Sequence, residues 1–486
     1  MKRLVKIIPL LIFCCCTACE IIGQDNPVII IDPINEETDT LKMLLNTGLT
    51  LLCIETVDGE QPTCEYVSPP YGSIGRGISN ANKVPGRMII LKNNDTLYDS
   101  GDFNENESGL TIKIRGNSSA YPEKKPYKLS LQKKADLLFR GDSKYEDKSW
   151  LLIKDSESLT LKNEMSLKPL IGNKFAELIG MEWYASGTYV NLILNGKYQG
   201  IYYLTENVKR NEKCRVNVAK GKGYIFEYDP YWWNDEVYFD TRVTSCSSRF
   251  TIKEPDKKDI SEDQIQYLRA FLLDIEESLI NNIIPEGIDL NSFVLWELAQ
   301  DILGSDDDGG INKFLTKYDN SDETRVKMGP LWDFDGIMKV YNEFPGIHLK
   351  FYYEYLWNNS TFIQAYAKEW EDKKNAIDAL ISYLYDFEKS NEAQSIDLSR
   401  VYEHSRWGSD YKTVADNIKE ASDYFTERKS WLQHKVDSLT SNTTNVIAPL
   451  GNYSDKLYDL TGRETNDRNG LKIINRKKIL LNNYGK

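Results

Sequence analysis

Asp306-Asp307-Asp308-Gly309-Gly310-Ile311-Asn312-Lys313-Phe314-Leu315-Thr316-Lys317-Tyr318, then Asp319-Asn320-Ser321-Asp322, then Thr324-Arg325-Val326-Lys327-Met328, then Leu331-Trp332-Asp333-Phe334-Asp335-Gly336: this stretch decides the fold of the 486-residue chain. Its two arms are short and rich in β-branched, aromatic and alternating residues, and the middle is turn chemistry, so the whole reads as one β-hairpin. Folding the arms together returns Asp333 to the end that carries Asp307 and Asn312. Asp333 and Asp335, one residue apart and flanked by Trp332 and Phe334, are costly to bury without a cation. The acidic run 306–308 taken alone suits a solvated turn, and neither group fits an EF-hand loop.

Asp307 and Asn312 stand five apart, the spacing at which a protein-kinase catalytic loop sets its base and a metal-binding Asn, and a second metal-binding Asp follows on the next strand and turn. Phosphoryl transfer is therefore the leading expectation. Three histidines, His348, His404 and His434, and the absence of C-x2-C spacing among Cys53, Cys64, Cys214 and Cys246 argue against a zinc enzyme or a histidine triad. A net charge of −13 argues against nucleic acid as a partner and favours a basic protein.

Residues 1–18 read as an export signal, with Lys2, Arg3 and Lys6 before a short apolar run. Cys16-Thr17-Ala18-Cys19 reads as a lipobox, with Cys16 where Leu is usual, so Cys19 is the expected lipidation site and the body is expected on a lipid tether at the cell envelope. No later run approaches the roughly 18 apolar residues of a membrane span. Cys53 and Cys64 sit symmetrically about Asp58-Gly59, a two-residue hairpin turn, so they are expected to face each other and form a disulfide. Even count alone suggests Cys214 with Cys246.

The expected organisation is a signal peptide (1–18), a tether (19–39), an N-terminal β segment (40–100), a β-rich lobe (101–265), a helical lobe carrying the 306–336 hairpin (266–440) and a C-terminal hairpin tail (451–486). Strands are expected at 50–56, 88–92, 110–115, 126–132, 150–153, 188–194, 198–205, 224–228 and 250–253. Helices are expected at 159–180, 261–281, 289–303 with Asp289 as N-cap, 361–387, 396–402 and 411–439, with a linker at 438–450. The fold class is α+β: a mainly β lobe, then a mainly α lobe, with the hairpin flooring the cleft between them.

The order of segments resembles the CotH kinase family, named for spore coat protein H. The carrying motifs are Arg115-Gly116-Asn117-Ser118-Ser119, Lys124-Lys125-Pro126-Tyr127-Lys128-Leu129, Trp150-Leu151-Leu152-Ile153, Gly196 through Glu206, and Trp332-Asp333-Phe334-Asp335-Gly336. The resemblance covers most of 85–440. It implies a bilobal atypical protein-kinase-like fold and ATP-dependent phosphorylation of protein Ser or Thr in active members. Asp307 would be the base; Asn312 and Asp333 would hold Mg or Mn, with Asp335 as a further ligand or support. Residues 115–119 would form a turn that meets phosphate oxygens. Lys128 would bind phosphates, with Lys125 as its rival, and Glu206 would orient the lysine or contact the nucleotide. The last hairpin separately resembles C-terminal tails of exported Bacteroidetes proteins.

ATP is scarce outside the cytoplasm, which keeps a second class open: a surface-binding or adhesion protein on a kinase-like scaffold. Tyr228, Tyr231, Trp232 and Trp233, and a second group from Phe351 to Trp357, could stack on glycan rings, although large aromatics more often fill cores. A metal-dependent hydrolase or nucleotidyl transferase on the same acidic pair is a third reading.

Overall fold

The computed structural model describes residues 37–69, 77–79, 81–154, 166–245, 247–306, 312–340, 351–408, 412–445, 470–474 and 477–481. In chain order these form α1 (Glu37–Asn46), β1 (Thr50–Thr56), β2 (Glu65–Val67), β3 (Gly77–Ser79), β4 (Val84–Lys92), β5 (Asp95–Asp99), β6 (Leu110–Ile114), β7 (Tyr127–Ala135), β8 (Asp147–Ile153), α2 (Lys168–Ile179), β9 (Gly187–Leu194), β10 (Lys197–Glu206), β11 (Tyr224–Asp229), β12 (Tyr238–Phe239) and β13 (Arg249–Glu254). There follow α3 (Glu262–Ile280), α4 (Leu290–Leu303), β14 (Lys313–Lys317), β15 (Val326–Met328), α5 (Tyr353–Leu356), α6 (Ser360–Lys373), α7 (Asn375–Glu388), α8 (Asn391–Trp407), α9 (Val414–Asn445), β16 (Gly470–Ile474) and β17 (Lys477–Leu481). A β-rich N-terminal part thus precedes a helical C-terminal part.

Seven strands close into a barrel in the order β1-β9-β10-β8-β7-β6-β4, with β4 returning to β1 and β5 flanking β4. Alternation dictates which residues face in: Val84, Met88 and Ile90 of β4 join Ile54, Ile112, Leu129, Leu152 and Leu192 in the barrel core. β1, β4 and β5 of the expected 40–100 segment therefore share one sheet with β6 to β10 of the 101–265 stretch. A second sheet, β12-β13-β11-β14-β15, contains the expected hairpin, with Leu315 opposite Met328 and Lys317 opposite Val326. It packs with α2 and the C-terminal helices in the largest core.

The Asp289 side chain caps α4 by accepting from the Ser292 N–H, as expected. The helix expected at 361–387 is two helices, α6 and α7, parted at Lys374. The expected linker at 438 is still helix, since α9 runs to Asn445. α2 begins at Lys168; residues 155–165, the first part of the helix expected there, lie outside the described residues. Among the described residues no helix is long and apolar enough to cross a membrane.

The Cys53–Cys64 disulfide does not form: Cys53, Cys64 and Cys214 are free thiols. Asp58 and Gly59 do turn the chain, with φ of 56° and 67°, but no strand returns along β1. β1 is occupied on both sides, antiparallel by β4 and parallel by β9, so Cys53 faces Ile89 and Ile193. Its end is capped by Asn195 from the β9–β10 turn, whose Oδ1 accepts from the Thr56 N–H at 2.9 Å. Cys246 lies outside the described residues. The aromatic run 351–357 is core: Tyr352 and Tyr353 are fully buried, their hydroxyls donating to Glu276 and to the Phe293 carbonyl. Trp357 donates to Glu297. Phe351, Tyr352, Tyr353 and Trp357 are buried and offer no face to a sugar, while Tyr355 is half-buried.

Candidate active site

β6 ends at Ile114 and the chain turns at once. Arg115 donates its backbone N–H to the Pro126 carbonyl at 3.1 Å. Gly116 sits at φ +85°, where a Cβ would lie 2.2 Å from Ser119 Oγ, so the turn requires glycine. Asn117 leads into a 3-10 turn at Ser118–Ala120. Arg115 to Ser119 line a cavity of about 1140 Å3, together with Lys128 and Ser130 of β7, Ser149 of β8, and Lys209 beyond β10. Lys128 and Ser130 point to the cavity because Tyr127, Leu129 and Leu131 take the inward positions of the barrel.

The floor comes from the hairpin. Asn312, Asp333 and Asp335 all line the same cavity, so folding the arms together brings Asp333 to the end that carries Asn312. Backbone bonds from Asp306 N–H to the Gly336 carbonyl and from Met338 N–H to the Leu303 carbonyl, at 3.1 and 2.8 Å, zip the far ends together. Asn312 and Asp333 both hold left-handed backbone, φ 58° and 61°. Such a conformation costs a non-glycine residue about 1 kcal/mol or more and persists where the surroundings enforce it. Asp307 and Cys19 lie outside the described residues.

Electrostatics divide the cavity. Burial pushes Lys128 from the usual 10.5 down to about 8, and the neighbouring charges, Lys113, Lys209, Arg115 and Lys83, push the same way because all are cations. On the opposite wall, burial raises Glu227 of β11 to about 8, with Asp229 adding to the rise and Lys253 opposing it. Lys253 of β13 is held by Glu227, Asp229 and Asp235 at 3.2, 3.1 and 2.9 Å. Asp333 is open to the cleft but hemmed in by protein elsewhere, and its carboxyl is raised by that desolvation against the pull of Arg115. Arg115 in turn is lowered by burial and raised by Asp333, Asp335 and Glu227. The arginine that opens the 115–119 turn thus also faces the carboxylates of the floor.

Two expected residues are engaged elsewhere. Glu206 is buried, accepting from Arg140 and from the Ser186 N–H, both at 3.0 Å, with Arg215 nearby at 4.0 Å. It is not among the cavity's lining residues, and its bonds to Arg140 and the Ser186 N–H tie the barrel end together. Lys125, the rival phosphate ligand, donates to Tyr66 Oη and to the Ala120 carbonyl, both at 2.8 Å. Sequence reasoning missed Lys113, Lys209, Glu227 and Lys253; strand alternation could have placed Lys113 on the face of Arg115, two residues on.

Among the described residues no three His, Cys, Asp or Glu side chains group as metal ligands. Asn312, Asp333 and Asp335 instead make a mixed amide and carboxylate oxygen set, whose chemistry suits a hard cation such as Mg or Mn.

The cleft thus has a barrel roof, a cationic wall, a glycine turn and a paired-aspartate floor, and the family match makes the protein kinase-like. The chain belongs to the CotH family: the family model described as CotH kinase protein matches residues 112–432. Membership in a kinase family implies ATP dependence in general. No curated protein matches the chain.

Proposed function

We propose that this chain is an atypical bilobal protein kinase of the cell envelope, an exported lipoprotein tethered through Cys19, that transfers a phosphoryl group from ATP to a Ser or Thr hydroxyl of a protein substrate. The supporting observation is the convergence, in one cavity, of the 115–119 turn and Lys128 on one wall with Asn312, Asp333 and Asp335 on the floor. Lys128 and the turn would hold phosphate oxygens, and Asn312 and Asp333, with Asp335 beside them, would hold Mg or Mn. An ion held there would supply positive charge against the phosphate oxygens. Asp307, assigned by its spacing from Asn312, would accept the hydroxyl proton as that oxygen bonds to the γ-phosphorus. The bond to the bridging oxygen breaks and ADP leaves. The net charge of −13 favours a basic protein as acceptor.

The test uses the chain from Glu20 onward, incubated with ATP and Mg or Mn beside an Asp333→Ala control. Metal-dependent labelling of itself or of a basic Ser-rich protein, lost in the control, is the expected result. A folded sample showing neither metal-dependent ATP binding nor labelling would leave the chain a binding protein on a kinase-like scaffold.

A further inference from the structure

Three adjacent barrel strands bring lysines to one level on the outer face. Lys113 of β6 lies directly opposite Lys128 of β7. β4 pairs with β6 with Val84 opposite Ile112, so Lys83, one residue before, falls opposite Lys113. Ile112, Ile114, Tyr127 and Leu129 point into the barrel core, which leaves Lys113 and Lys128 on its outside. Like charges directly across strands destabilise a sheet, and here no acid relieves them: among the described residues Lys83, Lys113 and Lys128 make no ion pair. Lys209, by comparison, does have a carboxylate, Asp147, at 3.5 Å.

The ladder has a direction. Lys128 opens into the main cavity beside the Gly116–Ser119 turn, and Arg115, two residues beyond Lys113 on the same face of the strand, reaches Asp333 and Asp335 electrostatically. From the floor aspartates the cations therefore continue as Arg115, Lys128, Lys113 and Lys83, the last exposed. The three lysines span two inter-strand steps, about 10 Å. That length suits a chain of linked phosphates rather than one.

We propose that Lys83, Lys113 and Lys128 form a polyphosphate track, which takes the extended triphosphate of a nucleotide with its terminal phosphoryl at the Arg115–Asp333 end. The inference deepens the kinase reading by giving Lys113 and Lys83, neither of them in the cavity wall, phosphate-binding roles. Consistent with the geometry, Lys113 is lowered by burial and by Lys83, as Lys128 is by its cationic neighbours; an anion would relieve both.

The experiment titrates wild type, Lys113→Gln, Lys113→Arg and Lys83→Gln/Lys113→Gln with inorganic tripolyphosphate, pyrophosphate, ATP and AMP by calorimetry, with melting curves of each unliganded protein. Tripolyphosphate should bind more tightly than pyrophosphate. Lys113→Gln should weaken tripolyphosphate and ATP about tenfold, the loss expected for one charge-assisted hydrogen bond, and leave AMP within about twofold. Lys113→Arg should retain most of the affinity. Because Lys113→Gln relieves a repulsion, it should melt no lower than wild type, so lost binding cannot be put down to unfolding. Unchanged tripolyphosphate affinity in the double variant overturns the track. If the track binds tripolyphosphate but ATP and metal give no labelling, the track stands and the kinase reading fails; if labelling occurs and Lys113→Gln binds as wild type, the reverse holds.

Discussion

Replacing Lys128 with Met should stabilise the protein while removing its response to ATP. Lys128 falls from the usual 10.5 to about 8 because burial and four cations oppose its charge. At about 1.4 kcal/mol per pH unit, holding that ammonium in the native state costs about 3 kcal/mol. The side chain is partly open to the cleft, so water and salt reduce the recoverable part to about 1–3 kcal/mol. Methionine keeps the alkyl stem and its packing while deleting the charge. Below pH 8 both native and unfolded chains hold the proton and the cost is present in full. From about 8 to 10.5 the native state has released the proton while the unfolded chain keeps it, so the cost shrinks as pH rises and vanishes above 10.5. Urea unfolding of both proteins at pH 7 and pH 10 measures this: Lys128→Met should have the higher midpoint at pH 7 and lose most of the advantage at pH 10. Its midpoint should not move with saturating ATP. A lower midpoint at pH 7, or an advantage independent of pH, would refute the reasoning.

Lys124 and Glu403 form a buried pair joining the loop before β7 to α8, with Lys124 also donating to the Ile201 carbonyl at 2.7 Å; Lys124→Met should cost about 3–5 kcal/mol in urea, because it strands a buried carboxylate, and Lys124→Met/Glu403→Gln should recover part of that loss. Gly172 of α2 lies against Phe334, where a Cβ would stand 2.1 Å from the ring, so Gly172→Ala should lower stability by about 1–3 kcal/mol through overpacking. By displacing the residue between Asp333 and Asp335 it should also reduce any phosphoryl transfer about 100-fold, read by labelling at equal folded protein. Peptide mapping after alkylation of the unreduced, denatured chain should recover Cys53, Cys64 and Cys214 as alkylated thiols; in the native state Cys53, pushed up to about 11 by burial and Glu55, should react slowly at pH 7.5.

What could be read from the sequence was local. β1 falls at 50–56 as its alternation indicates, and the 306–336 hairpin follows from two β-rich arms around a turn. Barrel closure was not legible, because alternation tells which face a residue takes and not which strand lies beside it. β1 meets β9, some 140 residues later, in parallel. The same blindness produced the mistaken disulfide: Asp58-Gly59 is a sound turn, but Asn195, also distant, occupies the end of β1 that the returning arm was expected to reach. The surroundings of Glu206 were not legible for a related reason. Its strand-end position suggested a junction with the cleft, whereas its partner Arg140, on the loop after β7, turns it into buried scaffolding. The preference for Lys128 over Lys125 came from the sequence, and the structure adds that Lys125 is held by Tyr66 and Ala120.

The two walls of the cleft carry opposite strains. On the barrel side every charge bearing on Lys128 is a cation, and that crowding favours loss of its proton. On the second sheet Asp229 and Asp235 press on Glu227, and the crowding favours uptake of a proton. Arg115 and Lys253 each soften the acidic side, Arg115 by facing Asp333, Asp335 and Glu227, and Lys253 by bridging Glu227, Asp229 and Asp235. Neither supplies an anion to the lysines. A ligand of phosphates alone would relieve the barrel wall and load the floor with more negative charge; a cation alone would do the reverse. A phosphate chain already carrying its divalent ion relieves both, because each wall then meets the charge it lacks. Like-charge crowding on both walls costs of order 1 kcal/mol or more per site. That pattern fits a cleft shaped for a metal-bound nucleotide better than one shaped for a neutral sugar, which would leave the strain on both walls where it is.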